Sequence, residues 1–215
     1  MTPARIRRFE MGQVTWELGR RTYVMGILNV TPDSFSDGGR FFAPKAALAH
    51  AQELVAAGAD IIDVGAESTR PGYVPVPLEE EWARLEPVLG ALRTTVPVPI
   101  SVDTQKAEIA RRAISLGVSV INDIGGLADA EMVEVLKHSQ AGYVLMYHPS
   151  EDIQGPITSR EIRSWLSHRI DEMLRAGIAR ERILVDPGLG FAYGVEANWS
   201  VIADLEAVSG LAAGV

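Results

Sequence analysis

The chain reads as an α/β protein built as a (β/α)8 barrel, and three observations predict this class. From Tyr23 onward one unit recurs: an apolar strand, a polar strand end, a loop and an amphipathic helix. Strands such as Ile61-Ile62-Asp63-Val64 and Val120-Ile121-Asn122-Asp123 are apolar on both sides, the pattern of a parallel sheet covered on both faces. No Gly-x-Gly-x-x-Gly follows the first strand, and the first loop is long and acidic, which argues against an open dinucleotide-binding sheet and for a barrel.

The elements follow in order. Phe9 to Gly19 alternates loosely around glycines and predicts a short hairpin ahead of the main fold, plugging the bottom of the core. Strands are expected at 23–28, 60–65, 98–102, 118–122, 142–147 and 182–186, with helices at 43–57, 78–93, 105–116, 129–138, 158–175 and 196–207. Gly58, Gly117 and Gly177 suit left-handed helix C-caps, each just ahead of the next strand. Six βα units are legible, whereas such a barrel takes about 250 residues. The chain stops at Leu211–Val215, where a seventh strand would begin, so residues 1–215 are expected to form one barrel domain lacking its last two units.

Composition narrows the function. Hydrophobic residues make up 47% of the 215, enough for a substantial core. A formal charge of −8 argues against nucleic-acid or membrane partners and leaves small anionic substrates open. The absence of cysteine excludes disulfides, thiolate catalysis and cysteine-ligated zinc. No apolar run reaches membrane-spanning length, and a soluble, cytoplasmic protein is expected.

Barrels of this type place their chemistry at the C-terminal ends of the strands. Here those ends carry Asn29, Asp63, Asp103, Asn122, Met146 and Asp186. Buried carboxylates and amides destabilise a fold unless they are paired, so a ring of them in apolar strands calls for a ligand or for mutual hydrogen bonds. Taken singly, each Asp or Asn reads equally as a helix cap, and Met146 as core packing. The segment 29–39, rich in hydroxyls, carboxylates and glycine, can face an anion or a metal-bound phosphate, or can be an ordinary turn.

Longer words decide between these readings. Gly26-Ile27-Leu28-Asn29-Val30-Thr31-Pro32-Asp33-Ser34-Phe35-Ser36-Asp37-Gly38-Gly39 closely resembles the first signature of the dihydropteroate synthases, which join a pterin to p-aminobenzoate in folate biosynthesis. Asp60-Ile61-Ile62-Asp63-Val64-Gly65-Ala66-Glu67-Ser68-Thr69-Arg70-Pro71-Gly72 resembles the second, with Ala66 where the family more often has glycine. The resemblance runs from about Arg21 to the chain end. It implies a transferase that releases diphosphate from a pterin CH2 carbon as the amine of p-aminobenzoate attacks.

By the same resemblance, Asp103, Asn122 and Asp186 hold the pterin edge, Met146 forms the floor beneath the ring and Phe191 stacks near it. Asn29 is the magnesium ligand beside the diphosphate, Thr69 and Arg70 serve the second loop, Asp33 helps order the metal, and Phe35 and Pro71 wall the p-aminobenzoate pocket where sulfonamides would compete. Asn29, Asp33, Arg70 and Asp103 are the implied catalytic group, Mg2+ the cofactor, and a homodimer the family assembly. The attacking amine is already neutral, so no strong base is needed. That fits a chain whose histidines are His50, His138, His148 and His168.

Departures are also visible. The family's Gly-Phe-Gly-Lys is here Gly190-Phe191-Ala192-Tyr193, and Met146-Tyr147-His148 stands for Met-His-Met, which displaces His148. The family's seventh- and eighth-strand motifs would fall past Val215, so catalysis is expected to be crippled if the chain ends there. Two other readings stay open: a related barrel that transfers a methyl group from a folate, and a catalytically dead pterin-binding module.

Overall fold

The computed structural model describes residues 6–31, 39–67, 75–148, 157–191 and 194–215. Six parallel strands form one sheet: β3 (Met25–Asn29), β4 (Ile61–Gly65), β5 (Ile100–Asp103), β6 (Val120–Asp123), β7 (Gly142–Met146) and β8 (Ile183–Asp186). Their spatial order is their sequence order, the arrangement of a singly wound barrel wall rather than of a sheet that reverses at a switch point. Between them run α1 (Gly39–Ala56), α2 (Leu78–Thr95), α3 (Ala107–Ser115), α4 (Met132–Lys137) and α5 (Ser159–Arg175), with α6 (Val195–Ala203) after β8. Ahead of the sheet, β1 (Arg7–Met11) and β2 (Val14–Leu18) pair antiparallel as the expected hairpin.

Side-chain alternation divides the sheet into two faces. Leu28, Ile62, Val64, Val102, Ile121, Tyr143, Leu145, Ile183 and Val185 join the main core with Leu85, Leu89, Ile109, Leu136, Ile162 and Leu166 of the helices. The opposite face holds Ile61 and Val120 at the N-terminal ends of their strands and Val144 in the middle of β7, packed with Phe9 and Met11 of the hairpin. The hairpin therefore floors the barrel interior. A Cβ on Gly142 would lie 2.6 Å from the Phe9 ring, so glycine is what lets the plug enter.

Local chemistry sets the boundaries. Gly58, Gly117 and Gly177 all have positive φ, as left-handed C-caps require. Thr158 caps α5 in a reciprocal box: Glu161 N donates to Thr158 Oγ1 at 3.3 Å, and Thr158 N donates to Glu161 Oε2 at 2.8 Å. Helix α1 starts at Gly39 rather than 43, with Pro44 inside it. Helix α4 is shorter than expected because Asp129 bends the chain, accepting from Glu131 N at 3.0 Å and from Ala107 N at 2.9 Å. Past α6, Val185 N donates to Gly214 O at 3.0 Å and Ala213 N to Ile183 O at 2.9 Å, so the tail pairs parallel to β8 where a seventh strand was expected.

Candidate active site

Because parallel register partners point to the same face, the pairing places the polar strand ends together. Asn29 pairs with Gly65, Gly65 with Asp103, and Asp103 with Asn122, while Ile27, Asp63 and Ser101 form the row below them. Met146 pairs with Asp186 on the far side. All belong to the face that the hairpin floors, so the barrel interior has an apolar bottom and a carboxylate-rich top. Gly65 keeps the top open: a Cβ there would meet Asn29 Oδ1 at 3.4 Å and Asp103 Oδ2 at 3.5 Å.

One direct bond spans the interior. Asn122 Nδ2 donates to Asp63 Oδ2 at 3.0 Å, linking β6 to β4 past the intervening β5. Asp63 is 4% exposed, and burial raises its pKa while Ser101 and Asn122 pull it back. Ser101 sits beside Asp63 as its register partner, yet neither Ser101 Oγ nor Asp63 Oδ1 makes a well-formed hydrogen bond. Asp103 is held well above the usual carboxylate range, first by burial and then by the charges of Asp63, Asp123, Glu81 and Glu67. Burial also raises Asp186, whose Oδ1 accepts from Gly188 N at 2.8 Å. Crowded, raised carboxylates with spare acceptor capacity are suited to a flat ligand that offers N–H groups.

A second polar cluster lies behind the strand ends. Lys106 Nζ donates to Glu67 Oε2 and to Glu81 Oε2, both at 2.5 Å, and Thr104 Oγ1 donates to Glu81 Oε1 at 2.7 Å. Glu67 Oε2 also accepts from Val76 N at 3.3 Å, and Arg84 donates to Ala66 O at 2.8 Å. These contacts tie the residues on either side of segment 68–74 to α2 and to the start of α3. None of these residues was singled out from the sequence, because acidic residues in a helix's first turn read as favouring the helix dipole.

Of the residues expected at the site, Asn29, Asp103, Asn122, Met146 and Asp186 stand on the one inner face, with Met146 buried. Phe191 follows β8 in a turn and is 44% exposed. Asp33, Phe35, Thr69, Arg70 and Pro71 lie outside the described residues. A cleft of about 510 Å3 runs up the interior from Trp16, Tyr23 and Ile61 to Asp186, largely apolar below that carboxylate.

Among the described residues no cluster of three His, Asp or Glu side chains could hold a metal alone. Asn29 Oδ1 and Asp103 Oδ2 nevertheless flank the same point above Gly65, and Mg2+ takes few protein oxygens, filling its sphere with water and phosphate. The arrangement fits that mode of binding.

Comparison with known proteins agrees with this geometry. The family described as "Pterin binding enzyme" matches residues 25–214. Over 203 residues the chain is 41% identical to the dihydropteroate synthase of Clostridium beijerinckii, covering 94% of this chain and 75% of that protein. The solved Xanthomonas albilineans dihydropteroate synthase with 4-aminobenzoic acid superimposes with a TM-score of 0.88 at 38% identity, over 95% of this chain and 74% of that one. The same enzyme in complex with 7,8-dihydropteroate gives 0.83 at 36% identity, over 94% and 73%.

Proposed function

The chain belongs to the dihydropteroate synthase family of pterin-binding enzymes, and from that membership we propose how its own residues divide the work. The reaction joins 6-hydroxymethyl-7,8-dihydropterin diphosphate to p-aminobenzoate, giving 7,8-dihydropteroate and diphosphate. The C–O bond to diphosphate breaks, the amine nitrogen forms the new C–N bond, and the amine proton leaves to solvent or to the departing diphosphate.

Asp186 accepts the ring N–H and the exocyclic amine of the pterin side by side, a charge-assisted pair worth roughly 1.5 to 3 kcal/mol per bond. Asn122 and Asp103 hold the neighbouring edge, Met146 forms the floor, and Phe191 covers the ring. Thr69 and Arg70 serve the diphosphate and the pterin-bound oxygens, a planar guanidinium being suited to both. Phe35 and Pro71 wall the p-aminobenzoate pocket. Asn29 would hold Mg2+ and Asp33 would help order it, and such an ion would supply charge neutralisation for the diphosphate. The chain works as one pterin-binding domain in the cytoplasm, as a homodimer. No helix among the described residues is long and apolar enough to cross a membrane.

The observation that carries this reading is the placement of Asp103, Asn122 and Asp186 on one inner face with burial raising both carboxylates. The test is turnover of pterin diphosphate and p-aminobenzoate by the 215-residue chain, followed as 7,8-dihydropteroate. Product formation, inhibited competitively by a sulfonamide, is the expected result. Pterin binding with no product under any magnesium concentration would favour a binding module instead.

A further inference from the structure

We infer that Asp63 is a positioning residue for Asn122: it fixes which end of the Asn122 amide faces down into the barrel, and so fixes the donor and acceptor pattern that Asn122 offers to a pterin. The part concerning pterin rests on the function proposed above.

The two ends of an Asn amide are nearly equal in size and opposite in hydrogen-bonding sense, so its orientation is set by its neighbours. A carboxylate accepts and does not donate, and Asp63 Oδ2 lies 3.0 Å from Asn122 Nδ2. The amide NH2 is thereby turned toward Asp63. The carbonyl oxygen and the second N–H remain for the mouth. On the other side stands the carboxylate-bearing Asp103, Asn122's register partner. Val120 and Val144, also on the inner face, supply no competing polar group.

Asp63 itself has no evident structural use beyond this bond. It is 4% exposed, and its Oδ1 has no well-formed hydrogen bond among the described residues. Ser101, fully buried and adjacent in register, lowers the Asp63 pKa from beside it without a well-formed hydrogen bond. A carboxylate buried with one protein hydrogen bond lowers stability relative to an apolar side chain. The Asn122 amide is what it acts on.

The experiment uses the whole 215-residue chain, labelled with 15N, and two variants, Asp63→Leu and Asp63→Asn. The Asn122 side-chain NH2 pair is assigned by its loss in Asn122→Ser. In the parent chain one proton of that pair should be shifted downfield and exchange slowly with solvent. Asp63→Leu should return it to the position of a free amide and weaken pterin binding at least tenfold, equivalent to about 1.4 kcal/mol. Asp63→Asn, which keeps an acceptor oxygen for Asn122, should restore part of both signals. A purely structural role predicts no such rescue and no specific change in the Asn122 amide. If Asp63→Leu folds and both the Asn122 resonances and the pterin affinity stay within twofold of the parent, the inference is overturned. Should the parent chain bind no pterin, the proposed function fails; the amide spectra decide the positioning role independently.

Discussion

Tyr143 donates its hydroxyl to Asp123 Oδ2 at 2.5 Å, joining two fully buried side chains on adjacent strands. The same carboxylate accepts from Gly125 N at 2.8 Å and Leu127 N at 3.0 Å. It thereby holds a turn in which Leu127 has a φ of 67°, a left-handed conformation uncommon outside glycine. Burial pushes Asp123 up, and the Tyr143 and backbone bonds pull it back. Because Asp123 directly follows Asn122, this turn fixes the strand end on which the amide sits. Tyr143→Phe should cost about 1 to 3 kcal/mol in denaturant unfolding, since a buried carboxylate loses its hydroxyl donor. An unchanged unfolding midpoint would show that Asp123 is satisfied without Tyr143.

The buried Glu81, 1% exposed, depends on Lys106 and Thr104. Removing one member of a buried ion pair costs about 3 to 5 kcal/mol, because the other charge stays behind. Lys106 is partly open to solvent, so Lys106→Met should fall at the lower end of that range. Adding Glu81→Gln should recover part of the loss. If the double variant is no more stable than Lys106→Met, the ion pair does not anchor this region.

Phe9 should behave as core although it lies in the hairpin. Its ring fills the barrel floor beside Gly142. Phe9→Ala is expected to cost about 3 to 5 kcal/mol, and Gly142→Ala should destabilise by forcing the ring aside. Pterin affinity of the folded fraction should stay within about twofold, because floor and mouth are separated by the polar row. A large affinity loss at unchanged stability would contradict that separation.

Asp186 gives a pH dependence whose direction is fixed. Burial raises its folded-state pKa above the ordinary 3.8, despite the Gly188 N–H. As pH climbs from below that value through the raised one, the unfolded chain releases the proton first, so the group's contribution to stability falls and stays low at neutral pH. Asp186→Asn, which keeps the acceptor for Gly188, should therefore stabilise the unliganded chain by about 1 kcal/mol at neutral pH. That gain should shrink as pH falls toward 3.8. Thermal unfolding across this range reads it directly; a gain that grows toward acid would reverse the assignment.

Much of this architecture was legible from residue order. Apolar strands each ending in a polar residue predict both the parallel sheet and the face on which Asn29, Asp103, Asn122 and Asp186 meet, since strand alternation is local. Pairings between distant strands were not legible. Asp63 and Asn122 are 59 residues apart, and nothing in their surroundings announces a hydrogen bond across β5. Lys106 and Glu81 read as surface charges on helical patterns, and only the packing of α2 against the strand ends buries Glu81. The end of the last helical pattern also escaped the sequence: α6 stops at Ala203 and a separate 3-10 turn follows at Leu205–Ala207.

Titration calorimetry with a pterin, on the parent chain and on Asp186→Ala and Asp33→Ala, tests the assignment of the barrel mouth most directly. Asp186→Ala leaves two ring donors unpaired and should abolish detectable binding. Asp33→Ala should bind pterin like the parent while turning over more slowly. Equal losses of pterin affinity in the two variants, or pterin binding untouched by Asp186→Ala, would contradict the claim that the inner-face carboxylates recognise the ring.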